Sequence, residues 1–564
     1  MTLSPSAHVD TFTRDSLPPE ADWPTLEFTL PELRYPDRLN AAAELIDRST
    51  AQFGAERPAL LLPDGSAWSY GELQARANQF ARLLTDRLGV VPGNRVLLRL
   101  PNSPLAVACW LGTLKAGAVI VTTMTAWKHR ELDNVLTRVM PTVAVVDAGT
   151  LAEVADTFAA HLPADGIWVS GGDDDPLGAA LDAQPTEFTA VATAADDVAL
   201  LGATSGTTGA PKITMHFHRD ILANADTFAR HILHLGPDDV SASTAPLAFT
   251  FGLGGLVVFP LRTGGAAVIA EHGGPVQLAE LIDTLGITVF YTAPTGYRAL
   301  LAAGHAGALG RLRLAVSAGQ HLPRSTFDEV EAASGVRLID GIGSTEMLHV
   351  FVSASGADIR PGRTGRAIPG FRAAVFDDEG RQLGPGEPGL LGVIGPTGCR
   401  YLNDDRQRKY VSNGWNITGD TYVMDEEGYF AYLGRADSLI VTAGYNVGAP
   451  EVENALAAHP AVAECAVVGR PDPHKGTIVN AFVVPMPGQT PGPELTRALL
   501  DHARAELALY KCPRRIDYID ALPTNASGKV QHFVLRERAA AEAEAEAAAA
   551  HSTPTGAGVR ESRG

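Results

Sequence analysis

The stretch TSGTTGAPK, Thr204 to Lys212, lies between the apolar run VALLG that begins at Val198 and the helix-like HRDILANADTFARHIL that begins at His218. The first flank reads as a buried strand and the second as a helix, so the segment between them is a fixed loop and not a linker. Its hydroxyl residues Thr204, Ser205, Thr207 and Thr208, its glycines Gly206 and Gly209, and Lys212 converge backbone N–H groups, side-chain donors and positive charge on one small volume. Phosphate is the natural occupant. The loop is not a Walker motif, because Ala210 and Pro211 stand where Gly-Lys-Ser/Thr adjacency is required.

Outward from this loop the chain alternates short β-branched runs with helical ones. RVLLRL is a strand, Ser103 caps a helix with Pro104 in its first turn, and VIVTT from Val119 is the next strand. LAELIDTLGI reads as helix before the strand TVFYTA. RLRLAVSAG reads as strand, STFDEVEAAS as helix and VRLIDGIG as strand. Such βαβ units imply parallel or mixed sheets with covering helices, and ligands of such sheets sit beyond the carboxyl ends of the strands. Between Gly362 and Gly444 glycine and turn residues become dense, which predicts short antiparallel strands. From Ala449 a compact α+β pattern follows, and AAAEAEAEAAAA near the end is a helix candidate running into a polar tail.

Composition bounds the rest. The 564 residues are 45% hydrophobic and 19% charged, a balance that excludes a disordered or fibrous chain. Lys plus Arg is 45 against 64 Asp plus Glu, giving −19, so non-specific attraction to nucleic acid or to an anionic membrane is disfavoured. Cys109, Cys399, Cys465 and Cys512 are far apart and form no C-x-x-C pair, which predicts free thiols in a reducing cytoplasm. The first thirty residues carry no secretory pattern, and Pro260, Arg262 and glycines interrupt Phe251–Ala270, so that stretch reads as core.

One acid stands where chemistry is expected. Glu346 follows the turn of GIGSTE (Gly341, Ile342, Gly343, Ser344, Thr345) after a strand, where a carboxylate can hold Mg²⁺ brought by ATP and Thr345 can donate to phosphate. Taken singly, Asp420 of ITGD and Arg435, fifteen positions on, read as structural. His216 and His218 have no partner cluster of further ligands around them in the sequence, so they do not read as metal ligands.

In order along the chain, TSGTTGAPK, GIGSTE, ITGD, GRAD (Gly434–Asp437), AGYNVGAPEVE from Ala443 and PTNASGK ending at Lys529 resemble the motifs of the adenylate-forming superfamily. That family includes acyl- and aryl-CoA ligases, luciferases and peptide-synthetase adenylation domains. The resemblance covers about residues 30 to 540. It implies an α/β fold: a large N-terminal domain, 1–436, of mixed and parallel sheets with covering helices plus a β-rich subdomain. A small mobile C-terminal α+β domain, 437–540, follows, with an Ala-rich tail at 541–564. It further implies ATP, Mg²⁺ and CoA as cofactors and co-substrates, Gly319 in the nucleotide site, Lys529 as the lysine bridging the carboxylate and the α-phosphate, Asp437 as the hinge, and Gly444 with Tyr445 along the CoA path. The resemblance of their motifs is also what implies that Asp420 accepts both ribose hydroxyls and that Arg435 donates to the same sugar. The resemblance is compatible with a homodimer.

TAPLAFTFGLGG from Thr244 resembles the family's acid-pocket motif, which puts Ala248, Phe249 and Phe251 at the substrate, with Tyr291, Ala293 and His349 as further wall residues. These segments carry no lysine or arginine, so the acid is apolar beyond its carboxylate. WPTLEFTLPELRYPDRLNAAAELID, GIGSTEMLHVF and AGYNVGAPEVENAL resemble the benzoate and 2-aminobenzoate branch of CoA ligases. The expected reaction is ATP-dependent ligation of an aromatic acid (benzoate, 2-aminobenzoate or 2-hydroxybenzoate) to CoA. A stand-alone enzyme loading a separate carrier protein is the alternative, and a nucleotide-binding sensor without turnover is a third reading. The sequence departs from the family at Ile342, where an aromatic residue usually meets adenine, at Ser438 after the hinge, and at His532 after the lysine.

Overall fold

A computed structural model describes residues 3–204, 211–271, 273–436, 440–442, 445–472, 476–524 and 530–552. The chain divides into two compact units, Met1–Ala431 and Tyr432–Gly564.

In the first unit, two large sheets are built mostly from parallel strands. One has the order Ile167–Ser170, Val143–Asp147, Arg95–Arg99, Val119–Thr122, Val198–Thr204, Lys212–Phe217, with only the last pairing antiparallel. Strand order reverses about Arg95–Arg99, which makes the carboxyl ends of this sheet a crevice. Its inward side chains, among them Leu97, Val121, Ala144 and Leu201, are fully buried with Leu132, Leu136 and Phe158 from the covering helices. The other sheet runs Val350–Ser353, Ile339–Gly343, Leu314–Ala318, Val289–Thr292, Val240–Ser243, Ala266–Val268, Pro58–Leu61 through its centre. From Ile339–Gly343 to Pro58–Leu61 it is parallel. Antiparallel strands Arg372–Phe376, Pro388–Ile394 and Trp415–Met424 form the β-rich part that the glycine density predicts.

Local signals act as expected. The Ser103 hydroxyl accepts the Ala106 N–H at 3.1 Å and starts the helix Pro104–Lys115. One expectation is corrected: LAELIDTLGI does not make a full helix. Helix Pro275–Glu280 ends early and the chain continues in turns to Gly286 at φ +64°, because Thr284 and Gly286 are poor helix formers and Gly286 supplies the left-handed exit.

In the second unit, strands Val462–Asp472 and Gly476–Pro485 pair antiparallel, and Arg515–Tyr518 joins parallel to the latter. Alternation along the first strand decides which helix covers each face. Val467 is buried with Val452, Leu456 and Leu499 of helices Ala449–Ala457 and Pro493–Glu506. Ala466 and Val468 are buried with Leu535 and Ala539 of the helix His532–Ser552, which contains the alanine-rich stretch up to Ser552. No helix among the described residues is long and apolar enough to cross a membrane.

Candidate active site

The strand Lys212–Phe217 organises the site. Its pleat sends Ile213, Met215 and Phe217 into the core and Lys212, Thr214 and His216 to the other face. Along its free edge the segment Arg400–Leu402 adds backbone bonds, Met215 N–H to the Arg400 carbonyl at 2.7 Å and Leu402 N–H to the Ile213 carbonyl at 2.8 Å. This pairing brings Tyr401 opposite Thr214.

Tyr401 joins the two charged residues that the sequence singles out. Its hydroxyl donates to Glu346 Oε1 at 2.5 Å and accepts from Lys212 Nζ at 2.9 Å, while Lys212 Nζ lies 3.7 Å from Glu346 Oε1. The ammonium also sits 4.8 Å from the Tyr401 ring centroid and 5.7 Å from that of Tyr410. Burial first, and then the Glu346 charge, push the Tyr401 phenol far up, so it stays a neutral donor. The Glu346 carboxylate is thus held by one short bond and one nearby cation, with most of its acceptor capacity left for a ligand.

The strand Ile339–Gly343 delivers the acid. A Cβ at Gly343 would lie 2.6 Å from the His349 carbonyl oxygen, so only glycine lets the strand fold back this tightly. Ile342 faces Val352 on the neighbouring strand and is partly buried. The Ser344 hydroxyl accepts the Met347 N–H at 3.2 Å and lies 3.3 Å from the Tyr410 hydroxyl. The Thr345 carbonyl accepts the Leu348 N–H at 3.2 Å and His216 Nε2–H at 2.8 Å. Leu348 takes φ +70°, a conformation a bulky residue adopts only when its surroundings impose it. Gly319, at the end of Leu314–Ala318, has φ +84° with open space where a Cβ would stand.

A second cluster surrounds His349. The imidazole meets Phe259 edge-on at 4.6 Å and lies 5.4 Å from Phe228 and 5.8 Å from Phe251; Phe251 in turn meets Tyr291 edge-on at 5.8 Å. His349 is 4% exposed; the Phe251 backbone lies against its ring, but neither nitrogen makes a hydrogen bond of good geometry among the described residues. Burial lowers it to about 3, so it is neutral at physiological pH. Gly254 and Gly255 make room for this arrangement: a Cβ on Gly254 would lie 2.5 Å from His349 Nε2, and one on Gly255 would lie 3.0 Å from the Tyr291 ring. Phe249 and Ala293 cap the helices Thr250–Leu253 and Pro294–Ala302 and are partly buried, and Ala248 lines a small apolar cavity with Leu98, Trp110 and Val257.

Asp420 lies on the strand Trp415–Met424, and its backbone N–H donates to the Thr418 hydroxyl oxygen at 3.2 Å. Arg435 closes the strand Phe430–Arg435, and Tyr445 pairs with Thr442. Thr204 pairs with Lys212 at the end of its strand. Ser205, Gly206, Thr207, Thr208, Gly209, Asp437, Gly444 and Lys529 lie outside the described residues. Thr524 bridges to Val530, and the Gln531 N–H donates to the Pro523 carbonyl at 2.8 Å. Sequence reading did not find Tyr401, Tyr410, Phe228, Phe259 or Gly254. The two tyrosines belong to none of the quoted motifs, and only the pairing of Arg400–Leu402 with the lysine strand reveals them.

Beneath the site, Asp220 and Arg400 form a fully buried, hydrogen-bonded ion pair. Burial opposes ionisation of Asp220 most strongly, but Arg400, the His216 imidazole and Arg219 together outweigh it and hold the carboxyl below the usual range. Nearby, His218 Nδ1 accepts the Ala41 N–H at 3.1 Å, and burial lowers its imidazole to about 3. Its unfolded form binds a proton below pH ~6.5 while the folded form does not until about 3, so its contribution to stability falls as pH drops through that window. Relative to His218→Gln, the wild type should lose about 2 kcal/mol between pH 6.5 and 5, read from denaturant midpoints at each pH. A pH-independent difference contradicts the assignment of a neutral buried imidazole.

Residues 46–400 match the AMP-binding enzyme family and residues 451–529 its C-terminal domain. The chain is 36% identical to a benzoate–CoA ligase of Thauera aromatica, over 90% of this chain and 98% of that one. The crystal structure of an anthranilate CoA ligase in complex with anthranoyl-AMP superimposes with a TM-score of 0.85 at 34% identity, covering 90% of this chain and 99% of that one. A benzoate CoA ligase from Burkholderia xenovorans LB400 gives 0.78 at 32%, covering 88% and 100%. The motifs, the two-unit division and these matches together place the chain in the AMP-binding enzyme family, within the benzoate–CoA ligase-like branch of the adenylate-forming superfamily.

Proposed function

We propose that this AMP-forming acid–thiol ligase activates an aromatic carboxylate of the benzoate, 2-aminobenzoate or 2-hydroxybenzoate type as its acyl-AMP and transfers the acyl group to CoA, releasing AMP and pyrophosphate. The observation that carries the substrate class is the uncharged aromatic cluster around His349. Phe228, Phe251, Phe259 and Tyr291 offer flat apolar faces, and a neutral imidazole whose nitrogens make no hydrogen bond of good geometry stands among them. A ring bearing one small polar group satisfies both features, whereas a flexible alkyl chain leaves the imidazole unmatched. The names of the relatives, a benzoate–CoA ligase and an anthranilate CoA ligase with anthranoyl-AMP, support the same class.

Glu346, with most of its oxygen capacity free, is the residue that would hold Mg²⁺. One carboxylate plus substrate phosphates is the usual donor set for that ion, whose charge neutralises the phosphate oxygens. Lys212, steered by Tyr401, directs positive charge to the same place. Acid carboxylate oxygen attacks the α-phosphorus, pyrophosphate leaves, and the CoA thiolate then attacks the acyl carbon and expels AMP.

Purified protein incubated with ATP, Mg²⁺, CoA and a panel of acids should yield the CoA thioesters of aromatic acids, detected by mass, and much less product from straight-chain acids. Thioester from octanoate in preference to every aromatic acid contradicts the substrate class, and acid-dependent exchange of pyrophosphate without any CoA thioester moves the acceptor to a carrier protein. Gly254→Ala places a methyl against His349 and should raise KM for benzoate about tenfold or more while leaving KM for ATP nearly unchanged. Steady-state kinetics with each substrate varied in turn checks this.

A further inference from the structure

His216 is fully buried on the strand that carries Lys212 at its start, and nothing in the reaction scheme uses it. Its Nε2 lies 2.8 Å from the Thr345 carbonyl oxygen and 3.0 Å from the Thr214 hydroxyl. A carbonyl only accepts, so the proton is on Nε2. That carbonyl belongs to the residue before Glu346, and its other bond, from the Leu348 N–H, is the longer at 3.2 Å. The same turn holds Leu348 at φ +70°. Thr345 also packs without spacer on the neighbouring strand, since a Cβ at Gly202 would lie 3.0 Å from its methyl group. The acid-bearing turn is therefore strained, and the imidazole supplies the shorter of the two bonds to its Thr345 carbonyl. On the far side of the ring, Nδ1 is 3.9 Å from Asp220 Oδ2, beyond hydrogen-bond reach, and Asp220 is itself fixed by Arg400 and by the Phe217 N–H at 3.0 Å. Strand, ion pair and imidazole form a rigid floor beneath Glu346.

We propose that His216 is a positioning residue of the adenylation step: its Nε2–H fixes the Thr345 carbonyl and thereby sets the direction in which Thr345 and Glu346 are presented to ATP. The proposal rests on reading the Glu346 turn as the part of the site that faces phosphate. It assigns no chemistry to the imidazole itself, and it places the whole effect on one of the two nitrogens.

Glutamine and asparagine separate the two nitrogens, because a Gln amide reaches the position of Nε2 and an Asn amide only that of Nδ1. The full-length His216→Gln and His216→Asn variants are compared with wild type in two assays: benzoate-dependent ATP–pyrophosphate exchange, and benzoyl-CoA formation from supplied benzoyl-AMP. Expected are exchange within about fivefold of wild type for H216Q and a loss of about 10²-fold in kcat for H216N, with KM for benzoate within about threefold in both. Thioester formation from benzoyl-AMP should be unchanged in both variants. Equal exchange in the two variants, or parallel loss of both half-reactions, overturns the proposal. Should H216N not fold, H216Q decides alone, and a selective loss of exchange above about tenfold in it overturns the proposal. Absence of acid-dependent exchange in the wild type, with any aromatic acid, overturns the reading of the site on which the proposal stands.

Discussion

Lys529→Ala is expected to lower benzoate-dependent pyrophosphate exchange by about 10³-fold while leaving benzoyl-CoA formation from supplied benzoyl-AMP close to wild type. The reason is the charge on both reactants. A carboxylate and an α-phosphate about 4 Å apart at an effective dielectric near 20 repel by about 4 kcal/mol, and an ammonium between them offsets a term of that size. The second half-reaction has no such repulsion at the attacked atom, because the acyl carbon is then part of a carboxylic–phosphoric mixed anhydride and the carboxylate charge is gone. Lys529 follows Ser527 and Gly528 in PTNASGK, and the flanking residues Thr524 and Val530 bridge each other in the second unit. Exchange and thioester assays on the same preparation check the split, and a loss of equal size in both refutes this role for Lys529.

Glu346→Gln is expected to produce the second-largest effect, a fall of about 10²-fold or more in kcat/KM for ATP together with a shift of the Mg²⁺ dependence to higher concentration. The substitution keeps the shape of the side chain and an acceptor for the Tyr401 hydroxyl, so the turn is retained while the negative charge is lost. It also leaves Lys212 without its anionic neighbour at 3.7 Å. Tyr401→Phe should cost less, about tenfold, because it removes one bond from Glu346 and one from Lys212 without changing either charge. Magnesium titrations of the exchange rate, run at saturating benzoate, distinguish the two variants.

The sequence reads clearly wherever local physics decides the outcome. Val198–Gly202 and Val119–Thr122 are strands because nothing polar interrupts them, and Ser103 with Pro104 starts a helix at the expected residue. The helix after Pro275 is overestimated because apolar spacing in LAELIDTLGI outweighs two weak helix formers near its end. In the site, motif order locates Lys212 and Glu346, but the hydroxyl that joins them comes from Tyr401, 189 residues beyond Lys212. No periodicity carries that information, since the pairing of Arg400–Leu402 with Ile213 and Met215 is a tertiary event. His349 reads as a wall residue from its place after Glu346. That its nitrogens make no hydrogen bond of good geometry, by contrast, follows from the packing of Phe228, Phe251 and Phe259 around it. His216 is visible only as a histidine on a strand until the Thr345 carbonyl is placed 2.8 Å from it.

The most direct measurement follows an atom. With benzoate labelled by ¹⁸O in both carboxylate positions, together with ATP, Mg²⁺ and CoA, the bond between carboxylate oxygen and α-phosphorus survives when the thiol attacks the acyl carbon. Mass analysis of the nucleotide product should then find AMP carrying one ¹⁸O per turnover and pyrophosphate carrying none. Unlabelled AMP, or ADP with the label in inorganic phosphate, would contradict activation through an acyl adenylate.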